Sequence, residues 1–131
     1  GISVTPRLIL GLVDEGRELT EQTPSTASST RVMSVSTARK LQQAMVQTAQ
    51  EGTGRAAAPE GVQVAIKTGT AQTGVYEGEE ELLHFWYCGI VWEGDSPRWC
   101  VTVLKESSPD GQEDAAKAFR QVVQGLADLA E

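Results

Sequence analysis

The 131-residue sequence contains no asparagine, one histidine (His84) and two cysteines, Cys88 and Cys100. There is no C-x-x-C, and one imidazole with two separated thiols does not furnish a His/Cys metal site. The cysteines lie in apolar, strand-like runs, so they read as small buried hydrophobes rather than a disulfide. His84, between Leu83 and Phe85, reads as a packing or surface residue rather than a catalytic one. Basic residues are scarce too: 11 Lys and Arg face 18 Asp and Glu, a formal net charge of -7. That balance argues against nucleic acid as a partner, because phosphate binding needs clustered cations. No apolar run reaches the roughly 18 to 20 residues that a membrane-spanning helix requires. The first residues also lack the charged and apolar regions of a signal peptide. The segment is therefore expected to be soluble, whatever a longer parent chain carries.

What is present is enough for one core, with 40% apolar residues in a chain of ordinary domain length. Thr5 as cap and Pro6 at the first helical position predict a helix that stops near Gly16. Glu18 to Thr30, polar and containing Pro24, reads as a solvated loop. A second helix, capped by Ser34 or Ser36, carries Ala38, Leu41, Met45 and Ala49 on one face and ends at Glu51-Gly52-Thr53-Gly54. Met45 there is a core residue and implies no cofactor.

Val62, Val64 and Ile66 alternate with polar or small residues, the period of a half-buried strand. Gly74 to Glu81 reads as a connection rich in glycine and acid. Leu82 to Trp92 is apolar on both faces, as a central strand covered from two sides would be. A turn at Glu93-Gly-Asp-Ser-Pro97 leads to a strand over Arg98 to Leu104, so an antiparallel meander is expected. Ala115, Ala116, Phe119, Val122, Val123, Leu126 and Leu129 keep the helical period and predict a third helix. The expected class is α+β, a three-stranded antiparallel sheet with helices on its faces.

The chemistry-bearing motif is Val64-Ala-Ile-Lys67-Thr68-Gly69-Thr70-Ala-Gln72. A phosphate-binding loop would need a glycine before the lysine and a helix after it, so that backbone N–H groups wrap the phosphates. Ile66 occupies the first place and strand-like alternation replaces the curl. A carboxylate site fits better. Gly69 lets an extended peptide approach the strand, Lys67 supplies positive charge, and the Thr68 and Thr70 hydroxyls can donate to a carboxylate. The Thr70 N–H can face a developing oxyanion. A plain strand end would use the same four residues, so on this motif alone both readings stand.

The surrounding segments add to it. Ile2-Ser-Val-Thr-Pro6, the helix ending in Glu51-Gly-Thr-Gly-Arg55, the Lys67-Thr-Gly-Thr-Ala-Gln72 strand and Phe85-Trp-Tyr-Cys-Gly-Ile-Val91 occur in one order. Together they resemble the C-terminal part of the transpeptidase domain of penicillin-binding proteins, most closely the class B branch, over nearly all of residues 1–131.

The resemblance implies a D,D-transpeptidase parent that is acylated by β-lactams and acts on peptidoglycan stem peptides. It would work in the bacterial envelope, on the outer face of the cytoplasmic membrane, and need no cofactor. Lys67 would belong to the proton and charge network, and Thr68 and Thr70 would bind the ligand carboxylate. Gly69 would permit close approach, and the Thr70 N–H would form one arm of the oxyanion hole.

The family's S-x-x-K and S-x-N elements are absent. Thr37-Ala-Arg-Lys40 and Thr102-Val-Leu-Lys105 are the nearest matches to the first, and without asparagine the second is impossible. The nucleophile is accordingly expected outside these residues, which would form the C-terminal portion of one incomplete domain and depend on its remainder as a partner. Ile66 stands where the family usually has glycine, which bears on the strand's local approach. A non-catalytic cell-wall or peptide-binding module is the alternative from another class. A β-lactamase or D,D-carboxypeptidase of the same superfamily would share the Lys-Thr-Gly chemistry.

Overall fold

The computed structural model describes residues 1–6, 9, 11–16 and 28–129, together with the backbone of 19–22. The chain divides into two compact units, Gly1–Arg39 and Lys40–Glu131, each described by itself.

In the first unit, β1 (Ile2–Val4) pairs antiparallel with β4 (Ser29–Arg31), and β2 (Gly11–Val13) with β3 (Leu19–Gln22). The helix expected after Thr5 is not formed by the described residues, and the expected loop over Glu18 to Thr30 contains two strands. Pro24 lies outside the described residues. Within the expected helix, β-branched Val13 is a weak helix former, and Gly11 is weaker still. Pairing across β1 and β4 instead satisfies the backbone, extended by Thr5 N–H to the Ser28 carbonyl at 3.2 Å and Val32 N–H to the Gly1 carbonyl at 3.0 Å. Gly16, expected as a helix stop, sits in the turn between β2 and β3.

Helix α1 (Val35–Gln50) forms as expected. Ser34 is its cap: Ser34 Oγ accepts the Thr37 N–H at 3.1 Å and shares a hydrogen bond with the Thr37 hydroxyl at 2.8 Å. Its expected apolar face is only partly covered, since Ala49 is buried while Leu41 is half exposed. The helix closes on Thr48, whose carbonyl accepts the Gly52 and Gly54 N–H groups, both at 3.1 Å. A short 3-10 turn, Arg55–Ala57, follows. Among the described residues the regular helices are therefore two, not three.

The second unit is built on the meander β5 (Val64–Glu77), β6 (Glu80–Glu93) and β7 (Ser96–Ser108), with β6 in the centre. Both hairpins turn on two residues beginning with glycine, Gly78 at φ +66° and Gly94 at φ +56°. That conformation suits glycine because no Cβ meets the backbone.

The expected connection over Gly74 to Glu81 is mostly strand. Polar side chains hold it where no apolar period signals it. Glu81 accepts the Gln72 amide at 3.0 Å and the Gly74 N–H at 2.9 Å, and Thr73 donates to the Leu82 carbonyl. A bulge between Gln72 and Tyr76 takes up the slack.

Helix α2 (Gln112–Asp128) packs on one sheet face. Phe119 and Val123 are fully buried against Ile66, Phe85, Tyr87 and Val91. Each such side chain contributes about 1.5–3 kcal/mol by leaving water. Glu113 and Asp114 in the first turn oppose the helix dipole favourably. On the other face Trp86, Cys88, Ile90 and Trp92 are half-buried, so the two-sided cover expected for β6 is incomplete among the described residues. Both cysteines are free, and Cys100 is exposed, against the burial expected of it. It faces away from α2, beside Ile90 in the β6–β7 register.

Candidate active site

Lys67 to Thr70 lie in mid-strand on β5, which pairs only with β6 among the described residues and so forms an edge. No helix follows the lysine, and β5 runs extended through all four residues, which removes the phosphate-loop geometry. Ile66 is fully buried. A Cβ on Gly54 would stand 2.8 Å from its Cγ2, so the side chain fills the core and presents nothing to the edge.

The register sorts the motif into two faces. Thr68 is opposite Tyr87 and Thr70 opposite Phe85, both buried beneath α2. Directly opposed residues in an antiparallel pair share a face, so the two hydroxyls belong to the α2 side. Lys67 opposite Cys88 and Gly69 opposite Trp86 belong to the reverse side. A ligand lying along the β5 edge can therefore meet hydroxyls on one flank and the ammonium on the other. Lys67 is exposed, and its Nζ donates to the Thr68 carbonyl. The ammonium thus rests at the strand edge.

Gly69 shows what the edge is shaped for. Its φ is not positive, and an added Cβ would meet only the Trp86 Cβ, at 3.5 Å, an ordinary contact. Nothing among the described residues requires glycine here. The absence of a side chain leaves the reverse side of the strand bare beside Trp86, where a ligand's backbone could come close.

A cleft of about 630 Å³ opens beside Thr70, lined also by Gln72, Glu80, Glu81, Leu83, Pro109 and Asp110. A smaller one of about 290 Å³ is lined by Thr53, Tyr87 and Gln112 and shares Asp110 with the first. His84 serves the frame rather than the motif. Its Nδ1 accepts the Ser107 N–H at 3.0 Å, where Ser107 takes φ +46° in the bulge that ends β7.

Thr53 was not among the residues expected at the site. Its hydroxyl oxygen is 2.8 Å from that of Thr68, although 15 positions separate them. Its sequence signal, a hydroxyl between two glycines in a helix-ending turn, marks the turn and not the partner. Among the described residues no group of His, Cys, Asp and Glu is arranged to hold a metal ion, and no helix is long and apolar enough to cross a membrane.

A three-stranded antiparallel meander with a helix packed on one face, its edge strand carrying Lys-Thr-Gly-Thr, defines the class as α+β. Residues 1–124 match the penicillin binding protein transpeptidase domain, and the chain belongs to that family. Penicillin-binding protein PbpB of Mycolicibacterium smegmatis is 32% identical over 143 residues, an alignment covering 96% of this chain and 21% of that protein. The D,D-transpeptidase domain of a peptidoglycan glycosyltransferase from Eggerthella lenta superposes with a TM-score of 0.72 at 25% identity, over 98% of this chain and 28% of that one. A structure from Atopobium parvulum DSM 20469 gives a TM-score of 0.72 at 29% identity, over 98% of this chain and 30% of that one. The chain thus spans between about a fifth and a third of the length of these relatives.

Proposed function

We propose that these residues form the substrate-carboxylate and oxyanion wall of a serine D,D-transpeptidase that cross-links peptidoglycan stem peptides. In this reading Thr68 and Thr70 bind the carboxylate of a stem peptide or β-lactam. Lys67 stabilises negative charge and orders the protons around it, and the Thr70 N–H is one arm of the oxyanion hole. A serine outside these residues is the nucleophile. Its oxygen forms a bond to the acyl carbon while the C–N bond breaks and the leaving amine takes a proton. An acceptor amine then displaces the serine. The protein acts at the bacterial cell envelope, on the outer face of the cytoplasmic membrane, and β-lactams acylate it. It requires no cofactor.

The observation that carries this reading is Gly69: a glycine that packing among the described residues does not need, next to two hydroxyls and a lysine on a strand edge with no partner among those residues. The test is labelling by a fluorescent penicillin. The full-length protein is expected to become covalently labelled on a serine of an S-x-x-K sequence. Labelling nowhere, or only outside such a sequence, would overturn the assignment. The absence of S-x-x-K from these residues is also what a non-catalytic peptide-binding module would show. Such a module would bind stem peptides without forming a covalent adduct.

A further inference from the structure

We infer that Thr53 is a positioning residue that sets the direction of the Thr68 hydroxyl toward the ligand carboxylate. The inference rests on the reading of Thr68 as a carboxylate donor.

The two hydroxyl oxygens are 2.8 Å apart. Each hydroxyl has one hydrogen and two lone pairs. If Thr68 spends its hydrogen on Thr53, it has none for a carboxylate and turns lone pairs toward a negative charge. The hydrogen bond serves the ligand only when Thr53 donates and Thr68 accepts, which frees the Thr68 hydrogen to point outward. A bound carboxylate selects that arrangement, because a hydroxyl that donates to an anion becomes a better acceptor for the hydroxyl behind it.

The turn that presents Thr53 is fixed. Gly52 and Gly54 on either side of it donate to the Thr48 carbonyl at 3.1 Å, and the Arg55 and Ala57 N–H groups return to Gly52 and Gly54 at 3.1 and 2.9 Å. Gly54 also lies against Ile66, where a Cβ would stand 2.8 Å from Cγ2 and 3.2 Å from the Thr48 carbonyl oxygen. The turn is thereby pressed on β5 two residues before Thr68. A water in place of the Thr53 hydroxyl would have no such fixed origin.

The experiment measures the second-order rate of acylation in the full-length protein by a β-lactam and by the methyl ester of that β-lactam, for Thr53→Val, Thr53→Ser, Thr68→Val and the double Val variant. Thr53→Val keeps the shape and removes the donor. It is expected to slow acylation by the free acid about three- to tenfold, the range of one neutral hydrogen bond. Thr53→Ser should stay within about twofold of the parent, and Thr53→Val should leave the rate with the ester unchanged. In the Thr68→Val background Thr53→Val should have no further effect.

A general loosening of the turn would slow acid and ester alike, and that result overturns the inference. So does a Thr53→Val variant at the parent rate while Thr68→Val is slowed. If Thr68→Val itself acylates at the parent rate, the carboxylate role of Thr68 falls, and the role of Thr53 with it.

Discussion

Gly89 lies under the ring of Phe119 so closely that a Cβ on the glycine would stand 2.6 Å from the ring Cζ and 2.8 Å from the Ala65 carbonyl oxygen. Helix α2 therefore rests on bare backbone in the middle of the central strand. Neither neighbour can yield cheaply, since one is a fully buried ring and the other belongs to the β5 ladder. Gly89→Ala is expected to destabilise the protein by about 1–3 kcal/mol through overpacking. Chemical denaturation of the full-length protein checks this, and an unchanged midpoint would show that α2 can shift. Phe119→Ala, which empties the same place, should cost about 3–5 kcal/mol.

That contact also shows how the fold could be read from the sequence. Period-two alternation through Ile66 and helical spacing through Phe119 and Val123 report burial on one face, and the meander and α2 form where that spacing places them. Ile2–Val4 and Gly11–Val13 carry no such signal. Their side chains remain exposed, Val4 at 63% and Val13 at 62%, so no buried face impressed a period on them. The Thr-Pro start signal is the strongest local cue there, and it points to a helix where strands form. The strand after Gln72 was hidden for a related reason, because hydrogen bonds from Glu81 and Thr73 hold it rather than apolar contact. At the site, Lys67 to Thr70 were visible as a motif. The split of the motif between two faces needs only strand period, whereas the Thr53 contact needs the tertiary fold.

Gly69 separates binding from stability. An alanine there meets only the Trp86 Cβ at 3.5 Å, and replacing a strand glycine lowers the entropy of the unfolded chain. Gly69→Ala should thus leave stability unchanged or raise it by up to about 1 kcal/mol. In the reading proposed above, the same methyl group would crowd a peptide backbone laid against the reverse side of this strand. Acylation by a β-lactam is expected to slow by about tenfold or more, the loss of a transition-state contact of roughly 1.4 kcal/mol. A variant both as stable and as reactive as the parent would remove the argument from close approach.

Lys67 should behave in the complementary way. It is exposed, and neither surface ion pair among the described residues, Arg98–Glu93 or Lys105–Asp114, includes it. Its hydrogen bond to the Thr68 carbonyl is local. Edge lysines also discourage strands from pairing with other chains, and that role alone would cost no activity on removal. Lys67→Ala is expected to keep the melting temperature and to slow β-lactam acylation by about 100-fold, the scale of losing one charge-stabilising group. Full activity together with new aggregation would assign the lysine to edge protection.

The last expectation concerns the 131 residues on their own. Among the described residues β5 has an unpaired edge, the reverse face of β6 is only half covered, and Ile2, Val4, Leu12, Val13 and Leu41 are each at least half exposed. Apolar surface of this kind is ordinarily covered by a partner, and an open strand edge seeks another strand. In the reading proposed above, the remainder of a transpeptidase domain supplies both. Produced alone, the segment should self-associate and unfold without a sharp cooperative transition, and a fluorescent penicillin should not label it, because that reading puts the nucleophile elsewhere. Sedimentation analysis with thermal unfolding tests the first part and gel fluorescence the second. A monodisperse monomer that melts cooperatively would show that these faces are stable in water. Covalent labelling of the segment would place a nucleophile among residues 1–131, where Thr37 of Thr37-Ala-Arg-Lys40 would be the first hydroxyl to replace.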